Sequence, residues 1–475
     1  MPTPAMPVLM YRPRETTLGT RKLASMRPPR TRHCSVVAAV LLLAQLSCGG
    51  PAVETARPKL DAEVAARLRK ILNENIVPFW MSRSLDREHG GYVINFNSEG
   101  EPNGKSEKGL VTQSRMLWFW SRLARSGVEV PPYSREQLLE AADLGYRFLR
   151  EKMWDPENGG FYWEVDRSGN RQTQTRKHVY GQTFALYALS EYYLASQKPE
   201  VLDFAVKLFQ LLEAKAHDET YGGYVEFFNA DWTTPPADAR LLLEGEAGWK
   251  LMNTHLHLME ALTTFYEASR LPLARERLLE LITIESSTVV RKEWNACTNM
   301  YERDWTPRIE GELGRASYGH DVENVGLLLE ANEAAGLSNY PLLDLYKALM
   351  RYSLQHGYDS ANGGFYDSGA LGQPADRRTK IWWVQAEALV TSLRMYELTR
   401  DEQYLAVFLR TLDFVETYQV DWHHGEWRRE VDPDGTPRGD KADFWKAAYH
   451  NGRAMIECLE ALERLQIQEP PLAAQ

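Results

Sequence analysis

Between residues 61 and 466, apolar positions recur at three- and four-residue spacings in twelve stretches, the period of helices that bury a face. Read with their caps and breakers, six helices are predicted at 61–83, 135–153, 199–216, 272–291, 341–357 and 401–419. Six more are predicted at 109–126, 178–197, 249–270, 317–335, 380–399 and 443–466. Each helix of the first set runs into a segment of different character: "DREHGGYVINF", "DPENGGFYWEV", "DETYGGYVEFF", "DSANGGFYDSG" and the degenerate "DWHHGEWRREV". Acid or polar turn residues precede glycine, and alternating aromatics follow, which predicts hairpins. The second-glycine position falls at 91, 160, 223 and 364, with Glu426 in its place in the last copy. Successive copies lie 62 to 69 residues apart except across one double interval, where "WNACTNMYERDW" (294–305) occupies the missing place. The chain is therefore a six-fold repeat.

A helical pair cannot bury its apolar face alone, so six pairs either stack in a line or close on themselves. The sixth copy carries no obvious polar cap, and a hairpin lies between every odd and even helix. Both features favour closure. The expected fold is all-α: an (α/α)6 barrel of twelve helices over 61–467, with short β-hairpins on the active-site rim and a tail at 468–475.

Composition narrows the function. A net charge of -10 argues against a nucleic-acid partner. The chain holds 14 Trp and 23 Tyr, side chains whose apolar plates and polar tips suit the CH faces of sugars as well as a core. Residues 1–47 form a separate signal region: "MRPPRTRHCSVVAAVLLLAQLSCGG", from Met26, orders basic, apolar and small residues as a secretory signal does, with Met26 an alternative start. "QLSC" resembles a bacterial lipoprotein cleavage box that would attach the chain to a membrane through a lipidated Cys48, with Gln45 where Leu is usual and ordinary cleavage left open. A linker follows at 48–60. The expected location is the periplasm or a membrane surface, or the cytoplasm if the signal is unused. Cys297 and Cys458 form neither a disulfide framework nor a metal quartet and are assigned to packing.

Polar residues gather where the even-numbered helices begin: Arg115, His178 and Tyr180, His255 and His257, His320 and Glu323, then Trp382, Trp383 and Glu387, and finally Trp445, Tyr449, His450 and Arg453. Any one of the histidines alone reads more readily as a satisfied core residue. Six sets aimed at one bowl read as a site. His255 and His257, two apart on a helix, face nearly opposite ways, so a shared metal is not expected and His257 is taken as the cavity-facing member. His320 and Glu323 are three apart, so the carboxylate is expected to hold that imidazole. Two imidazoles from different repeats, His320 and His450, can remove a proton from a carbon beside a carbonyl and return one, with Arg115 stabilising the enolate. No cofactor and no metal are required.

Four segments, "NTHLHLMEA", "SYGHDVEN", "KIWWVQAEA" and "WKAAYHNGR", resemble the cellobiose 2-epimerases within the N-acylglucosamine 2-epimerase family, in order, with the likeness running from about 61 to 466. The resemblance implies epimerisation at C2 of the reducing-end sugar of a β-1,4-linked disaccharide through an open-chain enediolate. It implies His320 and His450 as the acid/base pair and His257 as an aid to ring opening. It implies Arg115, Tyr180, Asn253, Glu323, Trp383, Glu387 and Trp445 as the sugar site. Ala448 stands where the family usually has proline, and "HDVENVG" departs from the commoner ending, so the preferred disaccharide stays open. The alternatives are a mannose-type aldose–ketose isomerase, an N-acylglucosamine 2-epimerase, a glycoside hydrolase, which would need two carboxylates flanking the bond, and a non-catalytic sugar-binding lipoprotein.

Overall fold

The computed structural model describes residues 60–236 and 245–468, so the signal region, Cys48 and the C-terminal tail from 469 lie outside the described residues. Among the described residues twelve long helices follow one another: α1 (62–83), α2 (Leu110–Ser126), α3 (135–153), α4 (Val179–Ser196), α5 (Pro199–Lys215), α6 (Met252–Ser269), α7 (272–288), α8 (Tyr318–Ala334), α9 (Leu343–His356), α10 (Trp382–Thr399), α11 (402–419) and α12 (His450–Gln468). The even-numbered helices pack in order from α2 to α12, and α12 returns to α2. This is the expected (α/α)6 barrel.

Sequence character explains which helix goes to which ring. In α4 every residue from Val179 to Tyr192 is buried, as an inner helix walled on all sides requires. In α3, buried Leu138, Ala141, Ala142 and Tyr146 share one stripe while Glu136, Glu140 and Arg147 face water, as an outer helix requires. Predicted helix starts agree within three residues except for α12, which begins at His450 rather than 443. The intervening segment turns instead because the Asp443 carboxylate accepts from the backbone N–H of Trp445 and Lys446.

The rim differs from a set of local hairpins. Each glycine turn closes with a single bridge, as between Leu85 and Tyr92 or Tyr358 and Phe365. The longer ladders join neighbouring repeats: Lys108–Gly109 pairs with Glu164–Val165, Lys177–His178 with Phe227–Phe228, and Lys380–Ile381 with Glu430–Val431. A bridge between Phe96 and Ala442 ties the sixth repeat to the first. The ladders thus stitch the ring shut, a pairing between segments so distant in sequence that local alternation cannot announce it.

One buried ion pair recurs in five repeats. The aspartate that opens each turn meets the lysine that precedes the next inner helix: Asp86 with Lys108, Asp155 with Lys177, Asp218 with Lys250, Asp359 with Lys380 and Asp421 with Lys441, all between 2.7 and 3.0 Å. The degenerate sixth turn holds Glu426 at φ 60°, where glycine is usual. Its carboxylate is caught by Trp80 Nε1, Lys446 Nζ and Asn451 Nδ2, which offset the backbone cost.

Candidate active site

A two-residue offset on each inner helix builds the site. In α2, Gln113 exchanges hydrogen bonds with the backbone N–H and C=O of Tyr92, pinning the turn. Gln182 in α4 and Gln385 in α10 do the same to Phe161 and Phe365. In α6 the equivalent residue is His255, whose Nε2 accepts from Tyr224 N–H at 2.9 Å; in α8 it is Asp321, which accepts from Cys297 N–H at 2.7 Å. In the sixth repeat Asn451 reaches Glu426. Two residues further along, the helix has turned roughly 200° and the side chain faces the barrel axis. Those axial positions are Arg115, Phe184, His257, Glu323, Glu387 and Arg453. His255 thus serves the rim and His257 the cavity, from one two-residue step.

The hollow above these residues has a volume of about 230 Å³ and is lined by Arg115, Tyr180, Asn253, His257, His320, Glu323, Trp382, Trp383, Trp445 and His450. Nine of the ten site residues expected from sequence therefore meet around one cavity. The tenth, Glu387, lies beneath it: its Oε1 accepts from His450 Nδ1 at 2.8 Å and its Oε2 from Arg453 at 2.7 Å. Glu387 is an orienting residue for His450 rather than a wall of the hollow. His257 has a matching arrangement, with Nδ1 on Glu260 Oε2 at 2.9 Å. A proton on each Nδ1 leaves each Nε2 as a lone pair for the cavity.

The expected hold of Glu323 on His320 is not formed. Both Glu323 oxygens are buried without a hydrogen bond, and the nearest imidazole is His257, its Nε2 3.9 Å from Glu323 Oε1. Residues three apart share a face only when both side chains lean the same way. Here His320 instead packs against the Trp383 indole, ring centres 4.9 Å apart, and Trp383 also touches His450 at 5.9 Å. Trp382 also lines the hollow. His178 caps α4, its Nδ1 accepting from Tyr180 N–H, and does not reach the cavity. Glu260, Tyr449 and Arg453 carry more of the site than sequence reasoning assigned them. The signal for Glu260 was present in its three-residue spacing from His257.

Burial dominates the electrostatics. It lowers all three imidazoles below their ordinary range, with His257 adding to the effect on His320, and Arg115 and His257 adding to it on His450. Burial, then repulsion from Glu387 and Glu260, raises the Glu323 carboxyl well above the usual range. Burial also opposes ionisation of Glu260, but His257 and Arg453 outweigh it and hold its carboxyl low. Arg115 donates to the Trp445 carbonyl at 2.6 Å and the Tyr180 hydroxyl at 3.1 Å and lies over the Phe184 ring. Its Nε, the Asn253 Oδ1 and the Glu323 carboxylate are all unpaired and buried. Such groups cost free energy unless a ligand satisfies them.

Glu323, Glu387 and His450 bring one donor atom each within 4.8 Å of one another. Their counter-charge is already supplied by Arg453, which grips Glu387. A second hollow, of about 370 Å³, opens at the far ends of the inner helices. Its cations are matched one by one, Arg122 with Glu460, Arg125 with Glu191 and Arg394 with Glu333, which marks it as the charged floor of the barrel.

Residues 90–454 match the model of the N-acylglucosamine 2-epimerase (GlcNAc 2-epimerase) family. The chain belongs to this family. It is a carbohydrate epimerase, hence an isomerase. Among characterised relatives of this epimerase, the cellobiose 2-epimerase of Dictyoglomus turgidum is 33% identical over 401 residues, covering 83% of this chain and 97% of that one. The cellobiose 2-epimerase of Bacteroides fragilis is 30% identical over 404 residues, covering 84% and 100%. The solved structure of cellobiose 2-epimerase from Spirochaeta thermophila superposes with a TM-score of 0.75 at 32% identity, covering 85% and 98%.

Proposed function

We propose that this epimerase interconverts the gluco and manno configurations at C2 of the reducing-end sugar of a β-1,4-linked disaccharide such as cellobiose. The observation that carries the reading is the pair of imidazoles whose Nδ1 atoms are tied to carboxylates, His450 to Glu387 and His257 to Glu260, beside the carboxylate-free His320 in the same hollow. In the open-chain sugar, neutral His450 Nε2 takes the C2 proton and the electrons pass to the C1 carbonyl as an enediolate. Arg115 stabilises the charge that develops on oxygen. His320 returns a proton, drawn from solvent, to the opposite face of C2, and bond rotation and ring closure complete the epimer. His257 assists ring opening. Relatives named for cellobiose support the disaccharide.

Incubation of the purified protein with cellobiose in deuterated water tests this. Deuterium at C2 together with the manno epimer is the expected result. A ketose product would assign an aldose–ketose isomerase, release of glucose a hydrolase, and no change a binding protein. We also infer export, on the basic, apolar and small-residue order of 26–50. Mass spectrometry is expected to find a lipid on Cys48 of membrane-associated protein, and Cys48→Ser is expected to release the protein from the membrane.

A further inference from the structure

At the bottom of the hollow one guanidinium touches four carboxylates. Arg453 is fully buried in α12. It donates to Glu387 Oε2 at 2.7 Å and to Glu330 Oε1 at 2.9 Å, and its Nε lies 2.9 Å from Glu457 and 3.7 Å from Glu260 Oε1. Two of these acids are the ones that hold imidazoles: Glu387 holds His450 Nδ1, and Glu260 holds His257 Nδ1. The remaining oxygen of Glu260 accepts from the Tyr449 hydroxyl. We propose that Arg453 is a positioning residue shared by both histidines, one cation that holds Glu260 and Glu387 aimed so that each imidazole presents an unprotonated Nε2 to the sugar. The proposal rests on the epimerase reading and adds to it the group that fixes the tautomers.

The geometry favours this over a purely structural role. A salt bridge that only held α12 in place would be met by one acid. Here acids come from three other inner helices, Glu260 of α6, Glu330 of α8 and Glu387 of α10, besides Glu457 of α12 itself. The other titratable groups around the imidazoles are Arg115, His320, Tyr180, Tyr449 and Glu323, whose carboxyl burial raises well above the usual range. Burial opposes the Arg453 charge, but Glu387, Glu457, Glu330 and Glu260 together hold it firmly protonated, so it stays a cation through the working pH range. Without it, Glu260 and Glu387, both buried, would lose the cation they share. A Glu387 no longer gripped by Arg453 can turn away from His450 Nδ1, and an imidazole without an acceptor at Nδ1 can carry its proton on Nε2, the wrong tautomer for a base.

The test compares Arg453→Gln and Arg453→Lys with Glu260→Gln and Glu387→Gln, on the full protein. Rates against pH are read together with the ring-nitrogen shifts of His257 and His450 by ¹⁵N NMR, and with binding of a reduced, unreactive disaccharide. For Arg453→Gln, kcat is expected to fall at least roughly tenfold with KM within about threefold, since the lost interaction acts on the reacting state. The acid limb of the rate profile is expected to move up by about one pH unit, because a cation that disfavours imidazolium is gone. His450 is expected to lose its Nδ1–H signature, and adding Glu387→Gln to Arg453→Gln should change it no further. Arg453→Lys is expected to restore the pH profile in part while leaving one histidine mis-set, since an ammonium cannot fork between two acids. Should Arg453→Gln fail to fold, Arg453→Lys decides alone. Native tautomers and an unmoved pH profile in a folded Arg453 variant would overturn the proposal. A wild-type protein that exchanges no C2 proton would instead refute the epimerase reading.

Discussion

His450 and His320 differ in what holds them, and that difference sets how each loss will read out. His450 is tied to Glu387, whereas His320 rests on the Trp383 face with no carboxylate partner. Replacing either with Asn is expected to cut deuterium exchange at C2 at least about a hundredfold. Binding of a reduced disaccharide, followed by calorimetry, should stay within a few-fold. Turnover surviving in either variant would remove that histidine from the chemistry. The pH dependence follows from the shifts. A base must be neutral, and burial lowers the value at which each imidazole takes up a proton. Activity is therefore lost only as pH falls through values below the ordinary 6.5 of histidine, so the acid limb of kcat/KM should lie on the acid side of 6.5. A limb above 6.5 would mean that bound water or substrate reverses the effect of burial.

At the scale of helices and turns, the recurring Asp–Lys pair makes the sharpest prediction. Lys380 is buried against Asp359 and also donates to the Gly363 carbonyl at 2.6 Å. Lys380→Met leaves the buried Asp359 without its cation, though still hydrogen-bonded by Ala361 and Asn362, a loss on the order of 2–3 kcal/mol. Denaturant unfolding measures it, and the double change Lys380→Met with Asp359→Asn, which removes the charge but keeps the acceptor for the Ala361 and Asn362 N–H groups, should recover much of the loss. The same repeats explain what the sequence disclosed. Helical period and glycine turns located all twelve helices, because inner and outer faces both leave apolar spacing behind. The start of α12 was missed because "FWKAAY" reads as helix while Asp443 holds it in a turn. The ladders between repeats were hidden, since Lys108 gives no sign that Val165 is its partner. The cavity residues were legible through local pairs such as His255 and His257. Which acid holds which imidazole was not, because Glu387 and His450 lie 63 positions apart and meet only when the ring closes.

For the molecule as a whole, stability carries a pH signature from an acid that does not line the cavity. Glu285 is completely buried, neither oxygen has a hydrogen-bond partner among the described residues, and burial raises its carboxyl well above the usual range. The unfolded chain ionises this group near the ordinary value of about 4.3, whereas the folded chain keeps the proton. Between those two points the folded state binds more protons, so stability is lost as pH rises. Glu285→Gln should leave the Tm unchanged at pH 4 and raise it at pH 8, by an amount equivalent to roughly 1–3 kcal/mol. An equal change at both values would show that ionisation is not involved. The bridge from Phe96 to Ala442 has a broader result. A linear solenoid can gain or lose a unit at its ends, but this ring has no spare seat: every unit sends one side chain to the axis and receives a strand from its neighbour. Its variety must therefore arise from substituting the lip of the bowl and never from changing the number of units.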